Sequence, residues 1–212
     1  VFKGCSNLRS VTFPRTFSNA NGPVSGSIDV SEFRGCENLK YVTAANPSLK
    51  ITGGAVDTSY TFDSFKADVP AEFYLESVDS SQFHTCATNN YMAFSYLNSD
   101  GTKQNLYELT VQETSGKKAV YRVNSSNQLV YCEFDSGLET VTMPDTVGPY
   151  QITVIGSGIF RNNCYLRRIT IPSSITTIED SAFKGCHNLK DVIFKEPVNI
   201  TSIGTDAFKT QE

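Results

Sequence analysis

Phe183–Phe194 reads FKGCHNLKDVIF, and Phe2–Phe13 reads FKGCSNLRSVTF. A third version, FRGCENLKYVTA, spans Phe33–Ala44, and a fourth, FRNNCYLRRITI, spans Phe160–Ile171. Position sets the register. Six residues after the aromatic comes Leu8, Leu39, Leu166 or Leu189, and three further on comes Val11, Val42, Ile169 or Val192. A second phrase leads into the aromatic: ITVIGSGIF at 152–160, ITTIEDSAF at 175–183 and ITSIGTDAF at 200–208 superpose without gaps. Successive aromatics Phe160, Phe183 and Phe208 are 23 and 25 residues apart. Self-similarity at about 20–29 residues is the mark of stacked leucine-rich repeats.

The spacing has a physical reading. In L-x-x-V-x-F the last two apolar residues alternate as in a half-buried strand. Pro14 or Pro172 then ends the strand, because proline cannot donate to a ladder. The Ile175 and Ile178 phrase makes a second short extended segment. Gly4, Gly35 and Gly185 share one turn position, where positive φ costs glycine nothing. Asn162 takes that place in the fourth copy, and asparagine is among the few other residues that visit this conformation routinely. One repeat cannot bury its apolar row alone, so neighbours must stack.

This pattern, I-T-x-I-x-x-x-A-F-K-G-C-x-N-L-K-x-V-x-F, resembles the BspA-like leucine-rich repeat family of surface proteins, most closely over residues 1–45 and 138–208. The resemblance implies a β-rich solenoid with minor helix: short strands, turns and short helices stacked in right-handed coils of about 23 residues. It also implies secretion or cell-surface display, and binding rather than catalysis.

Bulk properties narrow the partners. The chain has 212 residues, 39% of them apolar, and a net charge of −4. Lys and Arg are scattered, whereas a nucleic-acid face needs a clustered basic footprint, so no nucleic-acid partner is expected. No apolar run approaches the roughly 20 residues that span a bilayer, so no membrane insertion is expected. The chain opens inside a repeat, at VFKGC, so a targeting sequence is expected upstream. A monomer is expected.

Three regions are expected. Residues 1–97 form an N-terminal sub-array, with an inserted loop at 15–27 and a strand–helix–strand closing unit at 71–97 capped by Ser80 or Ser81. Residues 98–105, NSDGTKQN, carry turn chemistry and read as a linker. Residues 106–212 enter through a hairpin across Ser115-Gly116 and rejoin the register at Leu138, Val141 and Met143. One continuous irregular solenoid is the alternative.

The sequence offers little catalytic chemistry. His187 occupies a variable slot shared with Ser6, Glu37 and Cys164. His84 and Cys86 stand two apart on an expected helix and do not face each other. No C-x-x-C or H-E-x-x-H spacing occurs, and no cofactor or metal is expected. Glu133 with Asp135, and Glu179 with Asp180, are neighbours in sequence rather than carboxylates facing across a cleft. Asn124 and Asn199 head N-x-S/T sequons, which matter only in a eukaryotic source. Of the six cysteines, Cys5, Cys36 and Cys186 share one repeat position and Cys164 is one residue off it. They are expected as buried, reduced thiols in one interior row. Cys86 and Cys132 lie outside the register.

The expected function is therefore an extracellular binding or adhesion module for a host or matrix protein, or for a glycan. The alternatives are a structural spacer in a larger surface protein and, with no residue-level support, a glycan-acting enzyme. Recognition is expected on the outward residues of the L-x-x-V-x-F strands: Tyr41, Thr43, Thr140, Thr142, Arg168, Thr170 and Asp191, in rows with Ser10, Thr12 and Ile193.

Overall fold

The computed structural model describes residues 2–15, 18–19, 22–23, 26–55, 57–79 and 81–210. The chain divides into two compact units, Val1–Leu106 and Tyr107–Glu212.

In unit 1, β1 (Ser10–Phe13) leads to a small pair, β2 (Ser18–Asn19) and β3 (Gly22–Pro23), within a segment 15–27 that otherwise lies largely outside the described residues. Next come β4 (Ser27–Asp29), a 3-10 turn at Val30–Phe33, β5 (Tyr41–Ala44) and β6 (Lys50–Thr52). They are followed by α1 (Phe62–Asp68), β7 (Tyr74–Val78), α2 (Gln82–Asn89) and β8 (Ala93–Leu97). Strands β1, β5, β7 and β8 are parallel neighbours in that order, with Val11 opposite Val42 and Val42 opposite Leu75. Strands β4 and β6 form a second parallel pair. Ser81 caps α2, its side chain accepting from the His84 N–H at 3.0 Å; Ser80 lies outside the described residues. The core gathers Phe33, Leu39, Val42, Phe65, Leu75, Phe83 and Phe94, each at most 1% exposed.

The segment 98–105 is not all linker. Asn98 donates its N–H to the Thr102 carbonyl at 2.8 Å, closing a tight turn, and β9 (Lys103–Gln112) begins directly after it. A strand start there follows from the turn chemistry of Asp100-Gly101, which reverses the chain within five residues.

In unit 2, β9 and β10 (Lys118–Asn124) are neighbours joined by a turn in which Glu113 donates to Lys117 at 2.8 Å. β11 (Gln128–Phe134) pairs antiparallel with β10. The regular repeats follow: β12 (Thr140–Thr142), β13 (Thr146–Val147), β14 (Tyr150–Gln151), β15 (Val154–Ile155), β16 (Arg168–Ile171), β17 (Thr177–Ile178), β18 (Asp191–Phe194) and β19 (Ser202–Ile203). Each coil contributes two strands. The I-T-x-I phrases stack as β15, β17 and β19 beside β11, while the L-x-x-V strands stack separately as β12, β16 and β18.

The repeat letters have structural jobs. The aromatic rings stack: Phe160 on Phe183 at 4.7 Å and Phe183 on Phe208 at 4.9 Å in unit 2, and Phe2 on Phe33 at 5.5 Å in unit 1. The asparagine of N-L ties coils together, since Asn38 donates to the Ser6 carbonyl at 2.8 Å and Asn188 to that of Cys164 at 2.6 Å. The threonine of I-T does the same, Thr201 donating to the Thr176 carbonyl at 3.0 Å. Gly4, Gly35, Gly185 and Asn162 all have φ between 60° and 77°. At this turn the N–H points along the stack: Gly4 donates to Arg34, Asn162 to Lys184 and Gly185 to Lys209.

Two expectations need correction at the array ends. Leu39 and Leu166 are fully buried, but Leu8 and Leu189 are only half-buried. Each of those two leucines has a stacked coil on one side only within this chain. For the same reason Cys5 is exposed, whereas Cys36 and Cys186 are buried; Cys164 is exposed too, because its one-residue offset takes it off the interior row. All six cysteines are free thiols.

Candidate functional site

The L-x-x-V strands present two rows of outward side chains on the three-stranded sheet of unit 2. Thr140 stands opposite Arg168, which stands opposite Asp191. Thr142, Thr170 and Ile193 form the parallel row beside it. Strand spacing puts neighbours in a row about 4.8 Å apart. Thr140, Thr142 and Arg168 are exposed, Thr170 and Asp191 are half-buried, and Ile193 is 44% exposed. On the opposite side Val141, Ile169 and Ile171 are completely buried. One side of the sheet therefore carries the fold and the other carries little of it.

The exception is an ion pair. Arg168 donates through Nε and Nη2 to Asp191 Oδ2, at 2.9 and 2.7 Å. The guanidinium is thereby tied to the strand of the next coil while its side chain remains exposed. At the edge of this sheet the Thr142 N–H donates to Glu113 Oε1 at 3.1 Å. Burial raises the Glu113 carboxyl above its ordinary value, partly opposed by that hydrogen bond.

Tyr41 and Thr43 do not join these rows. Their strand, β5, belongs to the parallel sheet of unit 1, so the five L-x-x-V strands do not make one face. Thr43 is also buried, which corrects the expectation of an exposed residue. Its hydroxyl donates to Glu76 Oε1 at 2.9 Å. Glu76, 2% exposed, also receives the Ser95 hydroxyl at 3.1 Å and the Lys103 ammonium at 3.0 Å. Tyr41 stacks on Tyr74 at 5.3 Å, with Lys103 over its ring at 5.1 Å. A buried charge needs such a set of partners, and the set consumes the outward face of β5. Sequence reasoning missed Tyr74, Glu76 and Lys103. The available signal was the alternation in β7, which sends Glu76 to the same side as Thr43.

The ring nitrogens of His84 are engaged by residues other than Cys86. His84 Nδ1 lies 3.3 Å from Asp79 Oδ1, and its Nε2 lies 3.3 Å from Tyr96 Oη. Cys86 is buried, and desolvation pushes its thiol up to about 12. A thiol so protonated is a poor nucleophile. Among the described residues, no group of three or more His, Cys, Asp or Glu side chains is placed to hold a metal ion. Among the same residues, no helix is long and apolar enough to cross a membrane.

Stacked coils with two strands each, a phenylalanine ladder and an outward-facing parallel sheet define a leucine-rich repeat protein. The chain matches the BspA type leucine-rich repeat region in six copies, over residues 1–127 and 124–212, and belongs to that family. It is similar to a leucine-rich cell surface protein from Faecalibacterium prausnitzii, with 27% identity and a TM-score of 0.36. That likeness covers 47% of this chain and 27% of the other, so the chain spans about a quarter of that protein. A leucine-rich repeat protein from Bacteroides capillosus shares 26% identity over 44% of this chain and 70% of its own, with a TM-score of 0.34. One from T. pallidum shares 18% identity over 97% of this chain and 79% of its own, with a TM-score of 0.27. No curated protein matches the chain.

Proposed function

We propose that this chain is an extracellular binding module that docks a host or matrix protein on the outer face of β12, β16 and β18. The observation that carries the reading is the division of labour across that sheet. Val141, Ile169 and Ile171 are buried, while Thr140, Thr142, Arg168 and Ile193 stand outward on the same strands. Outward residues of a solenoid are not needed for its core, and repetition spreads them into one extended surface. Ile193, on the edge strand β18, supplies apolar area beside the Thr170 hydroxyl, and burial of apolar area is what the cores of interfaces provide. The description of the Faecalibacterium relative as a cell surface protein supports display outside the cell.

The test is a binding screen of the purified protein against immobilised matrix proteins, followed by Ile193→Asp and Arg168→Ala. Loss of roughly tenfold or more in affinity for either variant, with an unchanged melting curve, supports the sheet as the docking face. Unchanged affinity in both variants removes the site from this sheet.

A further inference from the structure

The carboxyl ends of four parallel strands in unit 1 open onto one cavity of about 410 Å³. Arg15 follows β1, Val78 and Asp79 follow from β7, Leu97 and Asn98 close β8, and Gln104 reaches in from the start of β9. The volume falls within the roughly 300–1,000 Å³ of pockets that take small molecules. The half-buried Val78 and the exposed Pro47 supply apolar surface.

The polar side chains of the rim are anchored. Asp79 is held through Oδ1 by His84, itself braced by Tyr96 Oη. Arg15 Nη1 donates to the Ser99 carbonyl. Gln104 Nε2 donates to the Leu97 carbonyl at 3.0 Å, and Asn98 Nδ2 to Thr102 Oγ1 at 2.8 Å. Both amides thus spend donors on the protein, and their oxygens remain acceptors. Anchored side chains lose little rotamer freedom when a ligand arrives.

We propose that this pocket binds a neutral saccharide of one or two rings. The charge balance selects the class: an anion meets the Asp79 carboxylate, and a cation meets the Arg15 guanidinium. A hydroxyl is both donor and acceptor, so vicinal hydroxyls donate to Asp79 and the amide oxygens while accepting from Arg15. The C–H face of a pyranose then covers Val78 and Pro47. This inference concerns unit 1 and stands apart from the docking face of unit 2.

The experiment is ligand-observed NMR on the whole chain with glucose, galactose, mannose, N-acetylglucosamine and lactose. Sialic acid and inorganic phosphate are included as anion probes. The expected result is saturation transfer from at least one neutral sugar. Asp79→Ala and Arg15→Ala should each weaken its binding roughly tenfold, the loss of a hydrogen bond to a charged group. Arg168→Ala should leave it unchanged, and melting curves should confirm that every variant is folded. The proposal is overturned if no neutral sugar binds by about 10 mM, if binding survives both pocket substitutions, or if an anion binds more tightly than every neutral sugar.

Discussion

The thiol of Cys186 donates to the main-chain carbonyl of Phe160, in the preceding coil, across 2.9 Å. Cys36 repeats the relationship with Phe2 at 3.2 Å. The cysteine of the F-K-G-C phrase is therefore a small apolar side chain with one weak donor, placed where a carbonyl between coils needs it. Desolvation raises both thiols above their ordinary value.

These placements order the reactivity of the thiols. Cys5 and Cys164 are exposed, and Cys36, Cys86 and Cys186 are buried. A maleimide or dithiobis-nitrobenzoate reaction on the native protein should label Cys5 and Cys164 first. The buried three should react only after denaturant is added. Peptide mapping at early times checks the order, and early modification of Cys186 contradicts it.

The ring ladder makes a graded prediction about stability. Phe183 is 1% exposed between two stacked rings, whereas Phe208 is 37% exposed with one. Phe183→Ala should destabilise by about 3–5 kcal/mol, the range for a fully buried phenylalanine. Phe208→Ala should cost only about 1–2 kcal/mol, because much of its area already faces water. Urea unfolding of the two variants compares them directly, and equal losses would mean that ladder position does not govern the energy.

The repeat register was legible because it is a matter of spacing. Phe33, Leu39, Val42, Gly35 and Asn162 all take the positions their letters imply, since each is fixed by contact with the coil next to it. What stayed hidden depends on where the stack stops and how strands are shared out. Leu8, Leu189 and Cys5 carry the same letters as buried residues, and burial there depends on a neighbour that the letter does not encode. Thr43 reads like Thr170, yet Glu76 draws it into a buried polar cluster. That partner lies 33 residues away on another strand, so local alternation gives Glu76 its face but does not give its pairing with Thr43.

The glycine of F-K-G-C should be sensitive in proportion to its surroundings. Gly185 has φ of 77°, and a Cβ built there runs into the side chain of Asn162 in the preceding coil. Gly4 has φ of 74° but open space around it. Gly4→Ala should cost about 1–2 kcal/mol, from backbone strain alone. Gly185→Ala should cost more, because the clash adds to the same strain. Thermal melts of both variants test the ranking. A smaller loss at Gly185 than at Gly4 would show that the turn relaxes freely.

Asp68 stands in for a missing carbonyl. At Gly4, Asn162 and Gly185 the turn N–H donates to a backbone carbonyl of the next coil. At Gly35 it donates instead to Asp68 Oδ2, at 2.9 Å, and the Tyr60 hydroxyl donates to the same oxygen at 2.6 Å. The Tyr60 hydrogen bond, then the Gly35 N–H, hold the Asp68 carboxyl below its ordinary 3.8. The folded state therefore binds this proton less readily than the unfolded chain does. The resulting stability is fully present above the ordinary value and is lost as pH falls through the depressed one. Asp68→Asn removes the charge but keeps the shape. At pH 7 it should destabilise by about 1 kcal/mol, the lower end for charged hydrogen bonds because the site is half-exposed. The gap between the two proteins should narrow as pH drops below 3.8, where the wild-type carboxyl begins to carry its own proton. Urea titrations of both proteins between neutral pH and the acid limit of folding measure that gap. A gap that stays constant to the acid limit would show that the charge on Asp68 plays no part in closing this coil.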